Sequence, residues 1–335
     1  MADPLTDPIG FSLQIMTSPL FFKVAVFPGL TSIGLIIALY TWLDRKVTAR
    51  AQLRVGPLYV SPLGGILQGL ADLLKFAFKE LFIPRNADKF FFVAAPVIAL
   101  ITGAGLIGLI PFSPDWQISN LELGLPAFLA FVTLSPMLVL LAGWSANSKY
   151  PFIGGLRSLF QQTAYEIPLW LSAIGVVMMA GTMNLIGIVQ AQANGWFIFP
   201  QALGALLFFI TSTAEMERIP FDLPEAEPEV IMGWQAEYAG FLFMSAAGAS
   251  FVRLYAFSAL FTVLYLGGWM GPAPVPALVW TAVKIVLVSF LIILLRSTFP
   301  RVRIDQLLRA GWTYLLGLAF LNIVITYVLI VGLRI

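Results

Sequence analysis

The sequence predicts an all-α integral membrane protein with about eight transmembrane helices and one amphipathic interfacial helix in the first cytoplasmic loop. Of its 335 residues, 59% are hydrophobic and only 11% are charged, which is under half of the roughly 25% charged residues of a soluble domain. A soluble chain of this length needs a charged surface to cover its domains. The solvent that faces most of this surface must therefore be lipid.

Eight apolar stretches are long enough to cross a bilayer, which takes about 20 apolar residues. No repeat or low-complexity tract is visible between them, and residues 1–335 are predicted to form a single polytopic membrane domain. The segment before Leu20 lacks the basic start of a signal peptide. The predicted spans are 20–43, 90–112, 121–145, 163–189, 197–217, 238–267, 277–299 and 306–333.

The basic residues fix the predicted orientation. Fifteen of the nineteen Lys and Arg residues fall in one set of loops, and the alternate loops contain none. Because positive residues stay on the cytoplasmic side, both termini are expected to face outward, and the uneven split supports the span count. The basic loops are 44–89, 146–162, 218–237 and 296–309, and the alternate loops are 113–120, 190–196 and 268–276.

An amphipathic helix is predicted at about 62–82, inside the first inner loop. From Leu63 to Leu81 the apolar residues recur at i, i+3, i+4 and i+7, which is the period of one helix face. Polar residues occupy the opposite face, so the helix is too charged to span and is expected to lie at the interface. It either rests on lipid or props open a doorway between the bilayer and the protein interior. The polar residues are Gln68, Asp72, Lys75 and Lys79.

The absence of His and Cys from the sequence excludes whole classes of site. Zinc fingers, Cys-ligated iron–sulfur clusters and ordinary haem ligation need these ligands. Ser–His and Cys–His nucleophile pairs need them too. No nucleotide-binding glycine motif is present, and a net charge of +2 does not favour nucleic acid as a partner. No metal or redox cofactor is therefore predicted on this chain, so any redox centres belong to partner proteins.

Ionisable residues inside the predicted spans are costly and therefore suggest function. Glu166 lies about one turn into the fourth span, and Arg253 lies near the middle of the sixth, too deep for its side chain to reach either surface. Lys284 lies two turns inside the outer end of the seventh span, where the favoured interpretation is that its ammonium extends to the surface.

An acidic loop at about 215–237 holds seven of the seventeen acidic residues. Its prolines make it stiff, and acids beside anionic lipid are unfavourable unless they face protein or water. Carboxylates crowded in a partly dry site cannot all ionise, so some pKa values rise toward neutrality. Such groups can exchange protons when a nearby charge changes, which is the chemistry of a proton relay. The seven are Glu215, Glu217, Asp222, Glu225, Glu227, Glu229 and Glu237.

Four blocks of residues resemble a known family, and all four lie on the predicted inner side. They are 42–57 with 67–80, 143–166, 214–238 and 300–307. The third contains Pro220-Phe221-Asp222-Leu223-Pro224-Glu225-Ala226-Glu227, which is long and unusual in composition. Over nearly its whole length the chain resembles the quinone-tunnel membrane subunit of respiratory complex I and NDH-type complexes, the NuoH/NdhA family.

This resemblance implies a subunit of a proton-pumping NAD(P)H- or ferredoxin-quinone oxidoreductase that forms the quinone access tunnel and the first part of an acidic proton path. Quinone would be the substrate, while flavin and iron–sulfur clusters would be held by hydrophilic-arm subunits. Antiporter-like and small membrane subunits would be further partners. The location implied is the bacterial inner membrane or a thylakoid-type membrane.

The resemblance also implies roles for particular residues. The tunnel needs apolar walls for the isoprenoid tail and charged groups only near the quinone head. The residues implied at the quinone are Trp42, Asp44, Arg45, Arg54, Asp72, Arg218 and Asp222. The residues implied in the proton path are Glu166, Glu215, Glu225 and Glu227.

The sequence departs from the family pattern at three positions. Asp44 and Leu58 stand where Glu and Asn are usual, and Ser250 stands where many members carry a Glu in the sixth span. One turn beyond Ser250, Arg253 supplies a positive charge. Our hypothesis is that Arg253 pairs with Glu166 or Glu215 and keeps it ionised. Proton pumping in an Arg253→Leu variant tests this, and unchanged coupling in an assembled complex would refute it.

Three other interpretations remain open from the sequence. The equivalent subunit of a membrane-bound hydrogenase-type complex shares ancestry but need not reduce quinone. A self-sufficient ion transporter would explain the buried charges but not the stiff acidic loop, and transport by the purified chain would support it. A structural anchor leaves the costly acids unexplained. The electron donor, the quinone species and the pumping stoichiometry cannot be predicted from this chain.

Overall fold

The structure is a computed structural model that describes residues 18, 21–62, 64–272 and 274–333. Throughout these ranges every regular element is helical. Seven helical segments are long and apolar enough to cross a membrane, which confirms the predicted all-α membrane class. Leu63, the first residue of the predicted amphipathic pattern, and Leu20, the start of the first predicted span, lie outside the described residues.

The helices follow one another with short connections. Two segments of π-helix, Phe22–Val26 and Ala310–Leu315, and a 3₁₀ turn, Gly233–Gln235, interrupt the series. The α-helices are α1 (Leu30–Ala51), α2 (Gln68–Phe78), α3 (Lys89–Leu109), α4 (Gly124–Ser145), α5 (Lys149–Ala180), α6 (Leu185–Ala191), α7 (Ala202–Glu215), α8 (Glu227–Val230), α9 (Gly240–Tyr265), α10 (Ala277–Thr298), α11 (Ile304–Arg309) and α12 (Leu316–Leu333).

Helix α9 is the centre of the molecule. It packs against α1, α2, α3 and α10, and 78% of its most apolar 18-residue stretch is buried. By contrast, only 17% of the corresponding stretch of the last span is buried. A helix that is apolar all round belongs inside a membrane bundle, and α9 therefore presents Arg253 to protein rather than to lipid.

The fourth predicted span, 163–189, has the wrong boundaries. Helix α5 begins at Lys149 and so includes most of the loop predicted at 146–162. Its 32 residues are about 48 Å long, which exceeds the roughly 30 Å hydrocarbon core. The helix ends at Gly181, whose φ of 68° is the left-handed conformation common after a helix. Separate helix α6 covers the remainder of the predicted span.

The fifth predicted span, 197–217, contains a shorter helix than expected. Helix α7 has 14 residues, or about 21 Å. Its inner half is enclosed by protein, from Thr211 to Glu215. A short helix is tolerated at membrane depth where its ends are buried in protein rather than exposed to lipid. The chain therefore turns into the acidic loop below the protein surface.

The first predicted span, 20–43, corresponds to the helical segment Phe22–Ala51, within which the regular helix α1 starts at Leu30. Pro28 lacks the N–H that would continue a helix across this point, and the preceding turns form the π-helix Phe22–Val26.

The amphipathic helix α2 lies where the sequence predicted it, but it is shorter than 62–82. It packs against α1 and α9. A Cβ on Gly69 would lie 2.2 Å from the carbonyl oxygen of Ala38, so only glycine permits this approach to α1. Leu74 and Phe78 are exposed on the outer side of the helix.

The last span contains the π-helix Ala310–Leu315 between α11 and α12. There Gly311 packs on α5, since a Cβ on it would lie 3.1 Å from the Ala164 carbonyl oxygen. The hydroxyl of Tyr165 donates to the carbonyl of Leu307 at 3.1 Å. The π-turn is thus held against α5 one residue from Glu166.

Lys284 does not extend to the membrane surface, contrary to the interpretation favoured from sequence. Its ammonium donates to the carbonyls of Leu266, Gly268 and Met270 at 2.6, 2.9 and 2.6 Å. It also lies 4.8 Å from the ring centroid of Trp196. These carbonyls follow the C-terminal end of α9, where a positive charge is favourable.

Candidate functional site

A buried ion-pair cluster joins α1, α10 and the loop after α7. Asp44 on α1 accepts a hydrogen bond from Arg296 near the end of α10. Arg218, in the loop, lies 4.0 Å from the same carboxylate oxygen. The side chains of Asp44 and Arg218 are each only 9% exposed. Two guanidinium groups therefore share one carboxylate in a largely dry position, and the cluster carries an excess of positive charge.

Arg218 has hydrogen-bonding capacity that the described residues do not use. Its guanidinium lies 4.7 Å from the ring centroid of Phe251, and its Nε and Nη2 have no partner among the described residues. Burial lowers the pKa of Arg218, and the nearby Asp44 carboxylate partly offsets that effect. Arginine nonetheless stays charged in proteins, so these N–H groups are available donors for an oxygen acceptor.

An apolar cavity of about 210 Å³ lies beside this cluster, between α1, α2 and α9. Phe251 belongs to both, since it lines the cavity and stacks on Arg218. Arg45 and Asp72 also line the cavity and form an ion pair of 2.6 Å, to which Gln68 adds a hydrogen bond of 2.9 Å. The remaining lining residues are Ile37, Thr41, Gly69, Leu73, Phe76, Phe243, Met244, Ala247 and Gly248.

Trp42 fixes the position of the segment that precedes α2. Its indole N–H donates to the Gly64 carbonyl at 3.1 Å, and Lys46 donates to the same carbonyl at 3.1 Å and to that of Pro57 at 2.9 Å. Arg54, also expected at the quinone, lies instead in an exposed turn and donates to Gln52 at 3.0 Å. The structure therefore brings Arg45 and Asp72 to the cavity but leaves Arg54 away from it.

The acidic loop is folded against α5 and α11. Glu217 accepts hydrogen bonds from Ser158 and, at 2.8 Å, from Gln162. Gln161 fixes the backbone of the loop by donating to the carbonyls of Ala214 and Phe221 at 2.8 and 2.7 Å. These contacts explain why the inner end of α5 is helical, because that end supplies the wall on which the loop rests.

The outer acids of the loop have separate partners. Asp222 pairs with Arg301 at 3.1 Å, Glu225 accepts from Gln235, and exposed Glu229 pairs with Arg157. Glu227 begins the short helix α8, but its side chain lies outside the described part of the structure.

Two of these carboxyls have pKa values near neutrality. Burial raises the pKa of Asp222 to about 6, although Arg301 opposes the shift. Burial also raises the pKa of Glu225 to about 8, and the neighbouring charges of Asp222 and Glu217 add to it. Both groups can therefore take up or release a proton near physiological pH, as the crowding of the loop predicts.

Deeper in the molecule, Glu215 is buried at the end of α7. Both of its carboxyl oxygens lack a partner among the described residues, and Glu166, Arg253 and Glu217 all lie close enough to act on it electrostatically. Arg253 donates to Ser135. The described residues contain no ion pair of Arg253 within 4 Å of Glu166 or Glu215, and the predicted pairing stays a prediction.

Several residues of the site were not singled out from the sequence. Arg296 is predicted only as a basic residue of an inner loop, and Arg301 belongs also to the block 300–307 but has no predicted role, yet both pair with acids of the site. Gln161 and Gln162 were placed at a loop boundary. Two adjacent glutamines flanking an apolar segment are an available signal, because buried amides need specific partners.

Within the described ranges, no group of three or more acidic residues is arranged to hold a metal ion. The side chains described above offer hydrogen bonding, charge stabilisation and proton exchange beside an apolar cavity.

The family model and the similar proteins found by comparison all point to the same kind of protein. The model of the family described as NADH dehydrogenase matches residues 24–327. The H subunit of NADH-quinone oxidoreductase from Geobacillus thermodenitrificans is 43% identical over 93% of this chain and 97% of its own length. The proteins of the same description from Geobacillus kaustophilus and Anoxybacillus flavithermus are 42% and 41% identical, each over 93% of this chain and 96% of their own length.

Proposed function

The chain belongs to the NADH dehydrogenase family, and on that premise we propose that it forms the quinone access tunnel and the first acidic part of the proton path in a complex I-type enzyme. Its relatives are named as the H subunit of NADH-quinone oxidoreductase. The chain is a membrane subunit of such a complex. The hydrogenase-type and transporter interpretations are not favoured by these relatives.

The observation that carries the tunnel assignment is the cavity between α1, α2 and α9. Its wall is apolar except for the Arg45–Asp72 pair, and the amphipathic helix α2 forms one side. An isoprenoid tail requires such a wall, because burying apolar surface is its main source of binding free energy. Phe251 lines the cavity and lies against Arg218, whose N–H groups without a partner among the described residues suit a quinone carbonyl oxygen.

Quinone reduction adds two electrons and two protons to form the quinol. The electrons would come from iron–sulfur clusters of partner subunits, since this sequence has no His or Cys. A guanidinium beside the head group stabilises the negative charge that develops on the oxygen before protonation. Asp222 and Glu225, with pKa values of about 6 and about 8, are suited to supply or replace protons there.

The acids form a continuous electrostatic series from the loop into the membrane. Asp222 and Glu217 act on Glu225, and Glu217 and Glu166 act on Glu215. A charge change at the loop therefore alters the protonation of deeper groups. In our proposal Glu227 belongs to the same series, and antiporter-like membrane subunits receive the effect beyond Glu166.

The remaining assignments follow from the same proposal. Hydrophilic-arm subunits with flavin and iron–sulfur clusters dock on the inner side, and small membrane subunits contact the spans. Both termini face outward, in a bacterial inner membrane or a thylakoid-type membrane. Trp42 and Arg54 belong to the entrance rather than to the cavity wall.

A cavity-filling variant tests the tunnel. Ala247→Trp places an indole in the cavity, whereas Ala202→Trp adds the same bulk to an exposed apolar groove between α7, α9 and α10. In the assembled complex we expect Ala247→Trp to raise the KM for a long-tailed quinone roughly tenfold or more, with a smaller effect on a short-tailed analogue.

Ala202→Trp should leave both KM values unchanged. Equal behaviour of the two variants, with normal assembly and intact reduction of artificial acceptors upstream of quinone, would reject the tunnel assignment. Photoaffinity labelling with an azido-quinone gives a second measurement, since labelling of α2 or α9 should disappear in Ala247→Trp.

A further inference from the structure

A second, much smaller cavity lies at the junction of α3, α4, α7 and α9. Its volume is about 20 Å³, slightly above the roughly 10–15 Å³ that one water molecule requires. Most of its wall is apolar, but five residues with polar side-chain atoms line it. One is Thr102, whose hydroxyl donates to the Ala99 carbonyl at 3.0 Å, and the other four are Ser135, Glu215, Trp234 and Arg253.

Three of those four residues have buried polar atoms without a partner among the described residues. They are both carboxyl oxygens of Glu215, Nε of Arg253 and Nε1 of Trp234. Glu215 is 1% exposed, Trp234 3% and Arg253 9%. A buried polar group that lacks a hydrogen bond costs about 1–3 kcal/mol, and more if it is charged. Four such atoms around one cavity therefore require a common explanation.

We infer that this cavity is a bound-water site that links Glu215 to Arg253, with Trp234 and Ser135 as the groups that hold the water in place. The inference rests on the proposed function only for its role in proton coupling. A water molecule accepts two hydrogen bonds, here from Arg253 and Trp234, and donates two, here to Glu215 and the Ser135 hydroxyl oxygen. One molecule thus provides a partner for Arg253, for Trp234 and for one carboxyl oxygen of Glu215, and it adds a second contact to Ser135, which already accepts from Arg253.

A water molecule at this position explains why Arg253 and Glu215 lie near each other without direct contact. Arg253 is held by Ser135 and acts on Glu215 without direct contact. A water between them transmits the charge and also carries a proton, whereas a direct ion pair would fix Glu215 in its ionised form. Trp234 is a positioning residue in this arrangement, because its indole N–H can only donate.

The turn that carries Trp234 also connects the water site to the acidic loop. Gln235, the next residue, donates to Glu225. Gly233 has a φ of +56°, and a Cβ there would lie 1.7 Å from the Pro224 carbonyl oxygen, so the turn is fixed against the loop. In our proposal, a change in the charge of Glu225 therefore shifts the Trp234 indole, because Glu225 is bonded to the adjacent residue Gln235.

The experiment is high-resolution cryo-electron microscopy of the assembled complex with the wild-type chain, Trp234→Phe and Trp269→Phe. Trp269 is 9% exposed and lies near the opposite end of α9, so it controls for a buried Trp-to-Phe change. We expect water density between Glu215 and Arg253 in the wild type and in Trp269→Phe, and its loss or displacement in Trp234→Phe. An empty cavity in wild-type maps that show other buried waters, or an unchanged water in Trp234→Phe, would overturn the inference.

Activity measurements separate this inference from the proposed function. Loss of one hydrogen bond to the water should lower quinone-linked turnover roughly three- to tenfold in Trp234→Phe, with no change in the KM for quinone. Water density that depends on Trp234 combined with no effect of Ala247→Trp on quinone would reject the tunnel and leave the water site standing.

Discussion

Buried charged groups at the two ends of the membrane bundle differ in how fully they are hydrogen-bonded. At the end predicted to face outward, here called the outer end, Lys284 uses its three ammonium protons in hydrogen bonds to the carbonyls of Leu266, Gly268 and Met270. At the inner end, Glu215 and Arg218 retain polar atoms without partners in the described part of the chain, and so does Asp44. Both ends bear the cost of desolvation, but among the described residues Lys284 recovers it fully, whereas the inner groups recover it only in part.

This difference distinguishes charged groups that stabilise the fold from charged groups that can still bind a ligand or a proton. A buried ammonium that is fully hydrogen-bonded stabilises one conformation and has no capacity left for a ligand. A buried carboxylate or guanidinium with free capacity is less stable in isolation, but it can bind water, a proton or a quinone oxygen. We therefore expect substitutions at the outer end to change stability and substitutions at the inner end to change turnover.

The largest effect is expected at Asp44. Asp44→Asn leaves Arg296 and Arg218 as buried charges without their shared counter-charge, so Arg218 is no longer held in place beside the cavity. We expect quinone reduction to fall at least about 100-fold, measured in membranes with equal amounts of assembled complex. Asp44→Glu preserves the charge and should retain most activity. Equal loss in both variants would show that geometry rather than charge is what matters.

The next effect concerns the acidic loop. Glu225→Gln cannot exchange a proton, so quinone-linked turnover should fall about tenfold or more, and Glu227→Gln should act in the same direction. Reduction of artificial acceptors upstream of quinone should be unaffected. Exposed Glu229, paired with Arg157, provides the control, and Glu229→Gln should behave like the wild type. Equal loss of both activities would indicate failed assembly instead.

At the outer end, Lys284→Met should lower stability with little effect on catalysis. The change leaves three carbonyls without a donor, and hydrogen bonds to charged groups are worth about 1.5–3 kcal/mol each. We expect the melting temperature of the purified complex to fall by a few degrees, roughly 2–4 °C for each kcal/mol lost, with an unchanged KM for quinone. A variant with a normal melting temperature and impaired turnover would contradict the contrast between the two ends.

The smallest effect is a pH dependence of stability. The pKa of Glu225 is raised from 4.5 to about 8 by burial, so the folded chain keeps a proton that the unfolded chain has already lost. The contribution of Glu225 to the free energy of unfolding is therefore greatest below pH 4.5, and it declines as pH rises toward about 8. Melting temperatures across this interval should fall less steeply in Glu225→Gln than in the wild type. If melting temperature depended on pH equally in both proteins, the Glu225 carboxyl would be exposed to water and the prediction would be wrong.

Much of this architecture is predictable from composition and periodicity. Apolar stretches and the positions of Lys and Arg specify the membrane class, because lipid tolerates so few alternatives. The amphipathic period locates α2, and the crowding of acids in a stiff loop anticipates the raised pKa values of Asp222 and Glu225. These are properties of local sequence.

The remaining features depend on contacts between distant segments. The carbonyls that hold Lys284 belong to a neighbouring helix and loop, so hydropathy alone favoured extension to the surface. The inner half of α5 is polar enough to resemble a loop, yet it is helical because the acidic loop rests on it through Gln161 and Gln162. Arg54 shares a motif with the cavity residues, but its side chain turns to Gln52.

The π-turn at Ala310–Leu315 gives the last span an unusual dependence on chain length. A π-turn accommodates one residue more than the α-helical turn that it replaces. Deleting a single residue there would restore regular helix and rotate the preceding segment by about 100° about its axis. Arg301, which precedes α11, would swing away from Asp222. The spacing between the last transmembrane helix and the loop is thus as much a determinant of the charged site as any side chain within it.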